Sequence, residues 1–199
     1  TNHDDILFQT TGRSTGLFAN VDKTRRRGVE LALQGSFRQL DWYANWTYLQ
    51  ATFEDSFSVL SPNHPNADGA GKLAVSSGDR IPGLPEHLVK LGGDFHVSDN
   101  FSLGAELIYN SDQILRGDES NELPACKDYA LFNLRASLLM GNNFSVYARI
   151  TNVFDKDYDN FGLIGEDPTE ILPDLSDNRP VFLGVGAPRA AWIGMRYKF

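Results

Sequence analysis

Apolar and polar residues alternate with period two in segment after segment of the chain, and no window of a dozen residues carries a helical stripe. From Val29 to Phe37 the odd positions are Val29, Leu31, Leu33, Gly35 and Phe37, with Glu30, Ala32, Gln34 and Ser36 between them. Leu40, Trp42, Ala44, Trp46 and Tyr48 oppose Asp41, Tyr43, Asn45 and Thr47 in the same way. The split recurs from Val89 to Val97, Phe101 to Tyr109, Phe132 to Met140, Phe144 to Ile150 and Ala191 to Phe199. A weaker strand over Asp5 to Thr11 brings the expected number to about eight, and the fold class is all-β and antiparallel.

These strands run to roughly 9 to 13 residues, longer than the usual strand of a globular sheet and close to what a tilted strand needs to cross hydrocarbon. Their connections differ in kind. Arg38-Gln39, Ser98-Asp99-Asn100 and Gly141-Asn142-Asn143 are tight, whereas Glu54 to Glu86, Leu115 to Asp128 and Asp155 to Pro188 are long. Short turns on one side and long loops on the other mark an outer-membrane β-barrel. With the short turns on the periplasmic side, the last strand must run inward, and Phe199 at the end of the chain fits that direction. Aromatic residues such as Phe37, Trp42, Phe95, Phe101, Tyr109, Tyr129, Phe144 and Tyr197 near strand ends suit the two interfacial belts of such a barrel.

Composition narrows the class further. Among 199 residues, 41% are hydrophobic and 22% charged, too apolar for disorder, and no apolar run is long enough for a transmembrane helix. A net charge of -8 argues against a nucleic-acid partner. The opening Thr1-Asn2-His3-Asp4-Asp5 shows no initiator Met, basic segment or apolar leader, and reads as an internal start.

Four stretches then carry a family resemblance. Arg25-Arg26-Arg27-Gly28-Val29-Glu30-Leu31 and Ile81-Pro82-Gly83-Leu84-Pro85-Glu86-His87 come first. Thr151-Asn152-Val153-Phe154-Asp155-Lys156-Asp157-Tyr158 and Gly186-Ala187-Pro188-Arg189 through Tyr197-Lys198-Phe199 follow. In this order and spacing the chain resembles the C-terminal part of a TonB-dependent outer-membrane receptor, with Asn152, Phe154, Asp155, Tyr158, Pro188 and Arg189 as the family motif. The resemblance implies that residues 1–199 supply about the last eight strands of a 22-stranded barrel whose plug and earlier strands lie elsewhere. It further implies import of a scarce nutrient, such as a ferric siderophore or other metal chelate, with energy from TonB, in the outer membrane of a Gram-negative bacterium. Two other readings stay open on the strand count: a complete small eight-stranded barrel acting as porin or adhesin, and a soluble β-sandwich such as a carbohydrate-binding module.

The resemblance also assigns Ile193, Met195, Tyr197 and Phe199 to a sorting strand for the barrel assembly machinery. Arg25 and Arg27 share the outward parity of Val29, at the height where lipopolysaccharide phosphate begins, and are candidate lipid contacts or else a solvated charge run. Inward candidates are Glu30, Asp41, Tyr43, Asn45, Lys90, Asp94, Glu106, Arg135, Tyr147, Arg149 and Arg196.

Asp155, Asp157, Asp159 and Glu166 match positions 1, 3, 5 and 12 of a calcium loop, but Asn160 stands where such a loop needs glycine, so the match reads as accidental. The loop from Asp155 to Pro188 carries eight acids against Lys156 and Arg179. Its acids repel an anionic chelate at short range and suit cationic cargo, bridging divalent ions or, more simply, a solvated surface, while its apolar Phe161, Leu163, Ile164, Ile171 and Leu172 predict that it packs against a partner. His3, His64, His87 and His96 share no spacing, His87 and His96 falling on opposite faces of one strand. No nucleophile constellation or phosphate-binding loop is present, so no enzyme, cofactor or metal is expected. Cys126 has no partner within the chain and is expected either to pair with a cysteine elsewhere or to be a buried free thiol.

Overall fold

Long alternating strands with tight turns pair most cheaply with their sequence neighbours. The computed structural model, which describes residues 1–12, 15–167, 169 and 180–199, shows this throughout. The strands in chain order are β1 (Asn2–Gly12), β2 (Thr15–Phe37), β3 (Leu40–Phe53), β4 (Phe57–Leu60), β5 (Lys72–Val75), β6 (His87–Ser98), β7 (Phe101–Asn110), β8 (Tyr129–Met140), β9 (Phe144–Thr151), β10 (Asp159–Ile164), β11 (Val181–Val185) and β12 (Ala190–Tyr197). Eight of them form one antiparallel sheet in the order β1-β2-β3-β6-β7-β8-β9-β12. The expected number of long strands is met.

Register follows the alternation. Leu33 faces Ala44, Ala44 faces Leu91, Leu91 faces Leu107 and Leu107 faces Phe132, so one apolar row crosses five strands. A second row runs Leu103, Ala136, Ala148 and Ile193. A slip of one residue in any strand would turn its apolar set to the opposite face, which is why the register is strongly specified. These rows are not packed on a second sheet: Leu33 is 47% exposed, Leu91 42% and Ile193 78%. A continuous apolar face with no protein against it is what a lipid-facing wall presents, and it is not the stacked interior of a β-sandwich.

Above this band the structure departs from the alternation. β2 begins at Thr15, not at Val29, and its outer half pairs with β1 from Asn2↔Thr24 upward. At about 3.3 Å per residue its 23 residues span about 75 Å, and even at a tilt of about 45° they cover about 53 Å against about 30 Å of hydrocarbon, so its outer half projects from the band. Val21 and Thr24, three residues apart, are both buried, so strict alternation lapses there. The pairing with β1, not the pattern of side chains, holds this segment extended.

Two connections read from sequence as plain loops contain the hairpins β4–β5 and β10–β11. The first seats the apolar cluster of Val21, Phe53, Val59, Leu73 and Val75, with Leu7, Phe57 and Ile81 packed against it. This core lies on the long-loop side of the sheet. Among the described residues β12 pairs only with β9, and β2 from Arg25 to Phe37 only with β3, so both edges of the sheet are open.

Candidate functional site

The polar face of the sheet is a wall of paired side chains. Arg135 donates from Nε and Nη2 to both oxygens of Asp94, each at 2.7 Å, a two-pronged ion pair across β6, β7 and β8. Beside it, Tyr43 donates to Glu106 at 2.6 Å, and the Asn133 amide donates to the other oxygen of Glu106 at 3.0 Å. Nearer the tight turns, Asp41 joins Ser36 at 2.5 Å and His96 at 2.8 Å. Glycines sit under the largest groups of this wall. A methyl group at position 104 would overlap the Asp94 carboxylate and the Arg135 guanidinium, and one at position 92 would overlap the Tyr43 phenol.

Toward β12 the wall changes character. Arg149 lies directly across from Arg135 on β8 and from Trp192 on β12. Directly opposed like charges repel. Arg135 is neutralised by Asp94, whereas Arg149 and Arg196 have no ion-pair partner among the described residues. Tyr147, lying over Gly194, and Trp192 are 49% and 53% exposed on this same face. The expected inward residues therefore share one face, and they are joined by Trp192, which its place among polar neighbours gave little reason to single out.

Three long loops leave one end of the sheet: residues 54–86, 111–128 and 152–189. They are knitted together. Arg116 donates its backbone N–H to the Gly162 carbonyl at 3.0 Å and accepts from Ile164 at 2.8 Å, adding a short parallel bridge to β10. Gln113 donates to the Asn160 carbonyl at 2.7 Å. Cys126 is 3% exposed and free, its thiol directed at the Asp159 carbonyl at 3.6 Å, and burial pushes the thiol up. Leu163 and Ile164 are half-buried, Gly117 lying against Ile164, whereas Phe161, expected to pack with them, is 47% exposed. Ile171 and Leu172, like Glu170, Asp174, Asp177 and Arg179, lie outside the described residues.

Glu119 is nearly buried in the second loop, and its carboxyl is pushed above the usual range by loss of water, with the Asp118 charge adding to it. A raised folded-state value means that its contribution to stability is present at acid pH and declines as pH rises from the ordinary carboxylate value through the folded one. Glu119→Gln is therefore expected to slow amide exchange in residues 117–123 at pH 7, while at about pH 4 variant and parent converge. Equal exchange at both pH values would contradict the assignment.

The motif residues form a joint between β9 and β12. Asn152, with positive φ, accepts from Lys156 N at 2.8 Å and donates to the carbonyls of Lys156 at 2.9 Å and Ala187 at 3.3 Å. Its own N–H donates to the Asn133 side chain at 2.9 Å, tying the joint to the inner wall. Asp155 accepts the Arg189 backbone N–H at 2.9 Å, so that Pro188 and Arg189 start β12 at a fixed place. Phe154 stacks on Phe132 outside, and Tyr158 packs on Tyr129. Asn152→Ala removes all three side-chain bonds of a 3%-exposed residue and is expected to cost about 2–4 kcal/mol, measured by urea unfolding in detergent. Of the calcium-like set, Asp155 is committed to Arg189 and Asp159 opens β10, and among the described residues no three His, Cys, Asp or Glu side chains are grouped to hold an ion.

Arg25 and Arg27 lie on the same side as Val29, just beyond the apolar band. Arg25 pairs with Glu54 at 2.8 Å, while Arg27 donates to the neutral Gln50 amide at 2.7 Å. Ile193, Met195 and Tyr197 lie along the outer face of the β12 edge and Phe199 follows its end, all largely exposed. His87 stacks between Trp46 and Tyr48 on the outer side, whereas His96 faces inward to Asp41.

A sheet with one lipid-type face, one polar inner wall and a knitted loop roof defines a segment of an outer-membrane-type barrel. The family model for TonB dependent receptor-like β-barrels matches residues 1–153, and the chain belongs to this family. Among solved structures it resembles the siderophore receptor PiuA from Acinetobacter baumannii at 17% identity and TM-score 0.70, covering 96% of this chain and 24% of that one. The ferric yersiniabactin uptake receptor FyuA from Yersinia pestis matches at 16% identity and TM-score 0.66, over 92% of this chain and 25% of that one. The copper transporter OprC matches at 19% identity and TM-score 0.68, over 99% and 27%. The chain thus spans about a quarter of the length of these structures.

Proposed function

We propose that the chain is the C-terminal portion of a receptor in the outer membrane of a Gram-negative bacterium that imports a small metal chelate, of siderophore type, with energy delivered by TonB through another part of the protein. Family membership and the wall below the loop roof support this reading. The observation that carries it is the two-faced sheet: apolar residues outward without a partner, and charged and aromatic residues on the opposite side. Arg149 and Arg196, which have no ion-pair partner among the described residues and lie near Trp192 and Tyr147, suit an anionic cargo better than a neutral one, since guanidinium and aromatic planes together bind charged conjugated groups.

Of the third loop's acids, which repel such a cargo at short range, Asp155 is tied to Arg189. Further partners on this reading are the lipid of the outer leaflet, with Arg27 the more available guanidinium for a lipopolysaccharide phosphate. The barrel assembly machinery would read Ile193, Met195, Tyr197 and Phe199. The reading is tested by deleting the gene and measuring uptake of radiolabelled ferric siderophores of catecholate, hydroxamate and mixed type, with and without TonB. Loss of uptake for one class, restored by the intact gene only when TonB is present, is expected. Unchanged uptake of every class would overturn it.

A further inference from the structure

Asp118 is fully buried at 0% exposure, as is the His64 side chain facing it across 54 residues of sequence. A carboxylate with no access to water persists only if its lone pairs are filled. Here Oδ1 accepts from His64 Nε2 at 3.0 Å, from Glu122 N at 3.0 Å and from the Ser120 hydroxyl at 3.3 Å, while Oδ2 accepts from Leu123 N at 3.0 Å. His64 Nδ1 in turn accepts the Asn66 backbone N–H at 3.1 Å. A ring nitrogen that accepts a hydrogen bond carries no proton, so the Nε2–H tautomer of neutral His64 is the one that fits.

Around this pair the first and second loops are bolted at further points. The Ser61 hydroxyl donates to the Gly117 carbonyl at 2.8 Å, and the Asn66 amide to Glu122 at 2.7 Å. The Asn121 amide both accepts from Arg80 N at 2.7 Å and donates to Arg80 O at 3.0 Å, as a strand neighbour would. Arg116, immediately before the buried turn, holds the third loop through Gly162 and Ile164.

We propose that Asp118 is the clasp of the roof: one buried carboxylate, with His64 as its neutral donor, joins the first and second loops and, through the neighbouring Arg116 backbone, strand β10, so that these segments open together and not loop by loop. Asp118 is a positioning residue in this account, since it touches no cargo. The inference rests on the proposed function only in treating this end as the mouth; the clasp itself is read out without any cargo.

The test is amide hydrogen exchange on the full-length receptor in detergent, comparing the parent with Asp118→Asn. An amide at 118 would turn a donor toward the Leu123 N–H or toward the His64 Nε2–H. Exchange is expected to rise about tenfold or more in residues 61–71 of the first loop as well as in 117–123, with residues 162–164 following, while β6 to β9 stay protected. A rise confined to 111–128 would overturn the proposal, because a merely local role predicts that pattern. If Asp118→Asn fails to fold, His64→Gln approaches the clasp from the other loop. It is expected to raise exchange at 117–123 by a similar factor, and a response restricted to 61–71 would equally overturn the clasp.

Discussion

Replacing Ala136 by arginine is expected to destabilise the folded receptor by about 2–4 kcal/mol in lipid, whereas Ser137→Arg, one residue along the same strand, is expected to change stability by less than about 1 kcal/mol. Ala136 lies mid-row between Leu103 and Ala148 on the apolar face, and a guanidinium there would sit against lipid tails. Ser137 lies between Ser102 and Tyr147 on the inner wall, where water and polar neighbours are at hand. Urea unfolding in vesicles reports both, and the contrast between neighbours matters more than either value. Similar costs at the two positions would contradict the assignment of one face to lipid and the other to a polar interior.

Phe53→Ala is expected to cost about 3–5 kcal/mol, as large a loss as any core truncation brings. Phe53 is 2% exposed, meets Phe57 edge-to-face with ring centroids 5.1 Å apart, and lies at the centre of the cluster with Val21, Val59, Leu73 and Val75. Removing it leaves a cavity beneath the β4–β5 hairpin that the stiff strands on either side cannot close. The loss should be local. Protease cleavage within residues 54–86 is expected to accelerate while heat-modifiable migration, a property of the barrel, persists. Cleavage unchanged from the parent would show that the hairpin does not depend on this core.

How much of this was legible in sequence depends on the range of the interaction involved. The strands β3, β6, β7, β8, β9 and β12 announce themselves because an apolar face on one side and a polar face on the other impose period two on every residue pair. The inner assignments of Asp94, Glu106 and Arg135 follow from the same parity, although the fork between Asp94 and Arg135 does not, since it spans 41 residues and a glycine notch at 104. β4, β5, β10 and β11 are four to six residues long, too short for periodicity to separate from loop. The outer half of β2 is extended through its pairing with β1 and carries no clear alternation. His64 gave no signal because its partner, Asp118, is 54 residues away in a loop whose fold is set by backbone hydrogen bonds. The motif residues Asn152 and Asp155 were legible as a family mark, while their work as a joint emerges only from the donors they meet.

On the proposed function, alternate residues of the long strands face lipid and an enclosed polar space. Single cysteines placed from 131 to 139 on β8, labelled with a fluorophore in the full receptor and reconstituted into vesicles containing spin-labelled lipid, test it directly. Strong quenching at 132, 134, 136 and 138 with weak quenching at 133, 135 and 137 is the expected result. Uniform quenching along the strand, or the reverse alternation, would contradict it.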